Sequence, residues 1–357
     1  MELSEISNIR LASQGISTST FKTAKQVVSW MGAMQAQDFA MSKWAVGIRL
    51  QNATITDFED AFNRGEIIRT HLMRPTWHLV SADDIHWLLE LTAPKIKSGM
   101  KSRHKELELS EDVIAKTSRI IEKTLSAKTQ ITREELATEF QKEGIKTDEN
   151  RLSHILFSAE LDGLICSGPA IGNKQTYALL SERVLNKKTL TKDEALAKLA
   201  NRYFTSHGPA TVKDFAWWSG LSGTEVKKAL DFVKTAFIAE TVNSETYWFS
   251  GAFSESHKNK PSVHLLPAYD EFLISYTDRS ASISKVDNPK AISNNGIFRP
   301  VIIESGQVIG IWKRTIKKET VSIETEFFIP YGPSMKLHFE DAAKQYVKFL
   351  RKDLLLR

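Results

Sequence analysis

Apolar positions along this chain recur at two periods, and the points where one period gives way to the other divide it into units. Residues 4–13 read as a short helix or arm. Thr23 can cap a helix whose apolar positions include Val27, Val28 and Met31. A second amphipathic run opens at Ser42 and passes through Trp44, Ile48 and Leu50. A third starts at Thr56, sets Phe58, Ala61 and Phe62 at helical spacing, and ends near Gly65. Residues 67–72 then read as a strand, which Pro75 interrupts and residues 77–80 resume. Another helix is predicted from Ser81 through Trp87 and Leu91, with Asp84 at a capping-box-like spacing. Helices followed by a two-stranded ribbon form the outline of a winged helix.

That outline recurs twice. Thr132 and Glu135 make a capping box for a helix that Gly144 ends, and Asp148 opens a second helix closed by Gly163. Residues 164–166 and 175–180 are the expected ribbon. In the third unit, helices are predicted from Asp193 to Ser206, from Thr211 to near Gly220, and from Gly223 through Val233. Residues 237–240 and 247–249 form its ribbon. Beyond Gly251 short apolar runs alternate with Gly, Asn and Pro. A hairpin is expected to turn at Ser305-Gly306, a further strand to run from Thr320 to Ile329, and an amphipathic helix to span 338–352 with Ala342, Tyr346 and Phe349 inward. The expected class is α+β, with winged-helix units at 1–95, 96–185 and 186–250 and a C-terminal β domain, a small sheet or barrel with a terminal helix, at 251–357.

Composition narrows the class without fixing it. At 357 residues, 41% hydrophobic and 25% charged, the chain reads as an ordinary globular protein with room for two or three cores. A net charge of +5 permits nucleic acid as a partner without demanding it, although residues 285–318 carry a local basic excess. Cys166 stands alone, which excludes an internal disulfide or a cysteine-rich metal centre and fits a reducing compartment. No stretch approaches a membrane span and no signal peptide is evident, so a cytoplasmic protein is expected. There is no Gly-rich phosphate loop, no helix-borne His pair for zinc and no serine nucleophile elbow.

The densest candidate chemistry lies in two N-terminal stretches, Trp30 to Asp38 and Arg69 to Val80. Gln35 and Gln37 point to nearly opposite faces if helical, and to one side if extended. Gly32 is a plausible helix exit just before them, so joint action requires an extended backbone. Two amides offer acceptors and donors for a water or a sugar–base unit. They cannot act as strong acids or bases, so they suit a reaction whose leaving group is already good. The order Gln35-Ala36-Gln37, then Arg69-Thr70 through Met73-Arg74-Pro75-Thr76-Trp77-His78, resembles the AlkZ-like winged-helix DNA glycosylase family. The resemblance continues at residues 164–169, 266–272, 276–279 and 310–312, and so covers nearly the whole chain.

The resemblance implies a concave scaffold of winged helices across which double-stranded DNA lies. It also implies hydrolysis of the N-glycosidic bond of N7-alkylated purines, extending to bulky adducts or crosslinks, with Gln35 and Gln37 catalytic. N7 alkylation makes the base cationic and a ready leaving group, which is work that neutral amides can assist. Arg69, Arg74, Thr76 and His78 on the ribbon, with Lys313 and Arg314 in the basic run, are the expected DNA contacts. For Arg74 and His78 a structural ion pair and a core histidine are equal alternatives. Asp270 and Glu271 are candidates either to activate the water or to form an internal ion-pair network, the second being the stronger reading. The expectation is a monofunctional, cofactor-free and metal-free monomer acting in DNA repair. The rival is a non-catalytic winged-helix DNA-binding or regulatory protein on the same scaffold.

Overall fold

A computed structural model of the chain describes residues 1–148, 150–254, 262–330 and 332–356. By compactness the chain forms two units, each built from separate stretches of the sequence. One comprises residues 1–59, 196–218 and 222–357, the other residues 60–195 and 219–221.

The first unit joins both ends of the chain. Its sheet has five strands in the order Asp353–Leu356, Thr320–Phe327, Gln307–Ile316, Val301–Glu304, Val263–Leu266. The predicted hairpin pairs Val301 with Ile311 and Glu304 with Gln307, turning at Ser305-Gly306, and carries a bulge between Ile302 and Ile303. Neighbours are antiparallel except the first pair, where Asp353–Leu356 runs parallel to Thr320–Phe327. This final strand escapes the sequence reading, which ends the chain on a helix. The helix itself, Pro333–Leu350, buries Ala342, Tyr346 and Phe349 as expected.

The same core draws in the N-terminal helices. Trp44, on helix Phe39–Gly47, is fully buried, its ring 5.1 Å from Tyr346 and 5.2 Å from Phe349. Its Nε1 donates to the Leu265 carbonyl at 2.7 Å. Burial of a ring of this size contributes on the order of 3 kcal/mol, and the satisfied indole N–H removes the penalty for hiding it. Helix Phe39–Gly47 is thereby fixed on the C-terminal sheet. It begins earlier than Ser42 because Asp38 caps it, accepting from the Met41 N–H at 2.9 Å. Helices Leu3–Ser13 and Ala24–Met31 complete this region, the latter with the Thr23–Gln26 capping box. The ribbon Ile238–Val242/Glu245–Phe249 also belongs to this unit.

The second unit holds the hairpin Ile67–Leu72/Thr76–Ser81, in register from Ile67 opposite Ser81 to Leu72 opposite Thr76. The ribbon Ile165–Ile171/Lys174–Leu179 pairs with the short strand Ile131–Thr132. Helices Arg133–Lys142 and Arg151–Leu161 follow the predicted pattern, the first with the Thr132–Glu135 box formed. Two long helices go beyond the prediction. Ile85–Glu106 continues through Pro94, and Glu111–Ala127 buries only Thr117, Ile121 and Leu125. Among the described residues no helix is long and apolar enough to cross a membrane.

Candidate active site

The glutamine pair sits on the connection at residues 32–38 between two helices of the first unit, and both ends of that connection are fixed. At the start, Gly32 closes helix Ala24–Met31 with φ 79°, and its N–H returns to the Val28 carbonyl at 3.0 Å. A Cβ there would stand 2.9 Å from the Arg202 Cδ, so both backbone hand and space favour glycine. At the end, Asp38 caps the next helix. Between them Met34–Gln35 is a two-residue strand, but Ala36 lies outside it and Gln37 stands at a bend, so the extended run that joint action of the amides requires stops short of Gln37.

The two amides are not equivalent. Gln35 is buried, with 7% of its surface reachable, whereas Gln37 is exposed. Joint action from one side was the conditional expectation; here one amide is held in the wall and the other stands at the surface. What holds Gln35 is a carboxylate. Its backbone N–H donates to Glu271 Oε1 at 2.6 Å. Glu271 Oε2 accepts from Trp218 Nε1 at 3.1 Å and from the Ser275 hydroxyl, and lies 3.7 Å from His207 Nε2.

Asp270 and Glu271 thus divide their labour. Asp270 caps the short helix Glu271–Ile274 through the Phe272 N–H at 2.9 Å and pairs in a two-pronged manner with Arg49, at 2.8 and 2.9 Å. Arg49 also donates to the carbonyls of Gln14 and Ala45 and to the Gln14 side chain. Both carboxylates and the guanidinium are at most 3% exposed. Such an arrangement satisfies nearly every donor and acceptor inside the fold, which makes it a frame rather than a solvent-reaching base. Further back, Tyr276 donates to the His207 carbonyl at 2.7 Å and receives the Gln14 amide at 3.0 Å, with the Arg10 guanidinium 3.6 Å above its ring. Burial holds the His207 imidazole below its ordinary pKa, opposed by the neighbouring Glu271, and pushes the Tyr276 phenol up.

In the second unit the expected DNA contacts separate into covered and reachable groups. His78 is fully buried, its Nδ1 2.9 Å from the Thr76 carbonyl. Arg69 is 4% exposed, stacked 4.0 Å over Trp77 and directed at Gln175 Oε1 at 3.2 Å. Their burial takes both off the surface a phosphate reaches: Arg69 lies opposite Leu79 and His78 opposite Thr70, on the two faces of the hairpin, and both faces are covered there. Arg74 and Thr76, at the hairpin end, remain half-buried, but the Thr76 hydroxyl oxygen is covered, which takes it off the expected contacts as well. In the first unit, Lys313 is exposed opposite Glu324, and the half-buried Arg314 donates to the Tyr346 hydroxyl at 2.5 Å.

Comparison with known proteins decides the class. The family model described as DNA glycosylase AlkZ-like matches residues 28–349. The chain belongs to the AlkZ-like DNA glycosylase family. Among solved structures it is similar to Streptomyces sahachiroi DNA glycosylase AlkZ, at a TM-score of 0.82 and 19% identity over 100% of both chains, a likeness that speaks for the fold. No curated protein matches it in sequence. Family membership supports DNA glycosylase chemistry in repair, with DNA as the substrate.

Beside the glutamine segment of this glycosylase lies a groove that the sequence did not announce. It occupies about 710 Å³ between helices Ala24–Met31 and Lys192–Ser206, lined by Lys25, Lys198 and Arg202 together with Phe21 and Trp30. No carboxylate is among its described lining residues. Arg202 connects it to the segment through the close approach at Gly32. Arg49, which pairs with Asp270, and His207 and Trp218, which frame Glu271, were also missed. No local signal could have found them, since an isolated arginine or histidine just past a helix end usually reads as a solvated group.

Proposed function

We propose that this chain hydrolyses the N-glycosidic bond of N7-alkylated purines in double-stranded DNA, bulky adducts and crosslinks included, as a monofunctional and cofactor-free monomer. The observation that carries the reading is the exposed Gln37 on a short segment fixed by a helix exit, a carboxylate and a helix cap. An alkylated base departs without a strong general acid, so what the protein supplies is a placed water and a polar field for the cationic sugar. The Gln37 carbonyl oxygen can accept from that water, and Gln35 orients the segment from within the wall. Neither amide can form a Schiff base, which favours simple hydrolysis over strand cleavage.

In this reading the helix–ribbon units act as winged helices on a concave scaffold. Arg74, Lys313 and the cations of the groove meet phosphates. The test is release of N7-methylguanine from a duplex oligonucleotide by the full chain. Release that depends on enzyme concentration and leaves an intact abasic strand is expected. Binding of the duplex with no release at any enzyme concentration would overturn the reading in favour of a non-catalytic DNA-binding or regulatory protein, a rival to which the burial of Gln35 lends some weight.

A further inference from the structure

The second unit contains a cavity of about 270 Å³ that no part of the reading above uses. Its wall is aromatic, with Trp77, Phe157 and Tyr177, and its polar groups include Glu160, His71 and Arg133. Glu160 is 1% exposed. One of its oxygens, Oε2, is held by the His71 Nδ1. The His71 ring is in turn packed against Trp77 at 4.1 Å and Phe157 at 4.3 Å, so the pair cannot swing away. The other oxygen, Oε1, is buried without a hydrogen-bond partner. Arg133 is steadied at the cavity by a 2.7 Å bond to the Ser153 hydroxyl.

An orphaned buried acceptor costs about 1–3 kcal/mol, and folded proteins seldom carry one without a reason. Burial also pushes the Glu160 carboxyl above its ordinary range, so a donor that reaches it gains more than at the surface. The space equals the liquid share of about nine waters, or a ligand of about ten heavy atoms. Flat apolar walls select a planar ring. A carboxylate at one polar site selects adjacent N–H donors, and a guanidinium at another selects a carbonyl oxygen.

We propose that this cavity is a binding pocket for a free guanine-type base, taken with its N–H and amino edge on Glu160 Oε1 and its carbonyl toward Arg133. The pocket deepens the glycosylase reading, on which it rests for the source of the base: the released N7-alkylguanine is such a molecule.

The probe is 7-methylguanine itself, titrated calorimetrically into the full chain without DNA. Saturable binding at a single site is expected below about 1 mM. Glu160→Gln is expected to weaken it at least about tenfold, and so is the use of 7-methylhypoxanthine, which lacks the exocyclic amine. Ser153→Leu, which fills the cavity and leaves the carboxylate in place, is expected to abolish binding even if Glu160→Gln fails to fold. Absence of saturable binding to the wild type, or equal affinity for the two bases, would overturn the proposal and leave a water-filled cavity. Base release by the wild type is measured separately. Release without binding sinks only the pocket, whereas binding without release sinks only the glycosylase reading.

Discussion

Glu271→Gln exchanges one acceptor oxygen for an NH2 group at the point where the glutamine segment is tied to the fold. The carboxylate accepts from the Gln35 N–H on one oxygen and from Trp218 Nε1 and the Ser275 hydroxyl on the other, at 1% exposure. An amide has a single acceptor oxygen. Turned toward Trp218 and Ser275, it keeps two bonds and presents its NH2 to the Gln35 N–H, donor against donor. Turned the other way, it opposes the Trp218 N–H. Either orientation leaves one buried donor unmatched, about 1–3 kcal/mol, and weakens the remaining charge-assisted bonds by about 1 kcal/mol. The expected loss of stability is about 2–4 kcal/mol, read from urea unfolding followed by tryptophan fluorescence. The first orientation retains more bonds and frees Gln35, so single-turnover base release by the folded fraction should fall by about tenfold or more. Unchanged unfolding together with unchanged release would refute the anchoring role. Unchanged unfolding with release abolished would instead make Glu271 a base acting on the water.

Other perturbations test the surrounding frame. Arg49→Met strands Asp270 as a buried charge and should cost about 3–5 kcal/mol in chemical unfolding, part of which Asp270→Asn restores in the double variant. A single-variant loss under about 1 kcal/mol would contradict the pairing. His264 is held by burial down to a pKa of about 4, below its ordinary 6.5. The folded state therefore disfavours its charged form, so stability is full above pH 6.5 and declines as pH falls from there toward 4. The loss is at most about 3 kcal/mol, since the ring still meets some solvent. His264→Asn should flatten that slope, and an unchanged slope would assign it elsewhere. Replacing Lys25, Lys198 and Arg202 together by Ala should lower the salt slope of duplex binding by about two to three if each meets a phosphate, and an unaltered slope would place the DNA elsewhere.

What the sequence made legible follows from how local each signal is. The caps at Thr23 and Thr132 and the positive-φ exits at Gly32 and Gly163 depend on neighbours within four residues, and the predicted helix ends there hold. Helix Glu111–Ala127 was faint because its buried stripe is one residue wide, with Thr117, Ile121 and Leu125 four apart. The strand Asp353–Leu356 pairs with a partner some thirty residues earlier, a contact no short-range period encodes. The site divided in the same way. Spacing set an extended backbone across 35–37 as the condition for joint action, of which the structure holds only Met34–Gln35, whereas the burial of Gln35, Arg69 and His78 depends on packing partners remote in sequence. The stronger expectation for Asp270 and Glu271, a structural network, agrees with where their hydrogen bonds go.

The central claim is that the exposed amide of Gln37 assists departure of an alkylated base. Single-turnover release of N7-methylguanine from duplex DNA, compared between wild type and Gln37→Ala at enzyme concentrations that saturate binding, addresses it most directly. A fall of about a hundredfold in the rate, with duplex affinity within about threefold of the wild type, is the predicted result. Equal rates for the two proteins would contradict it.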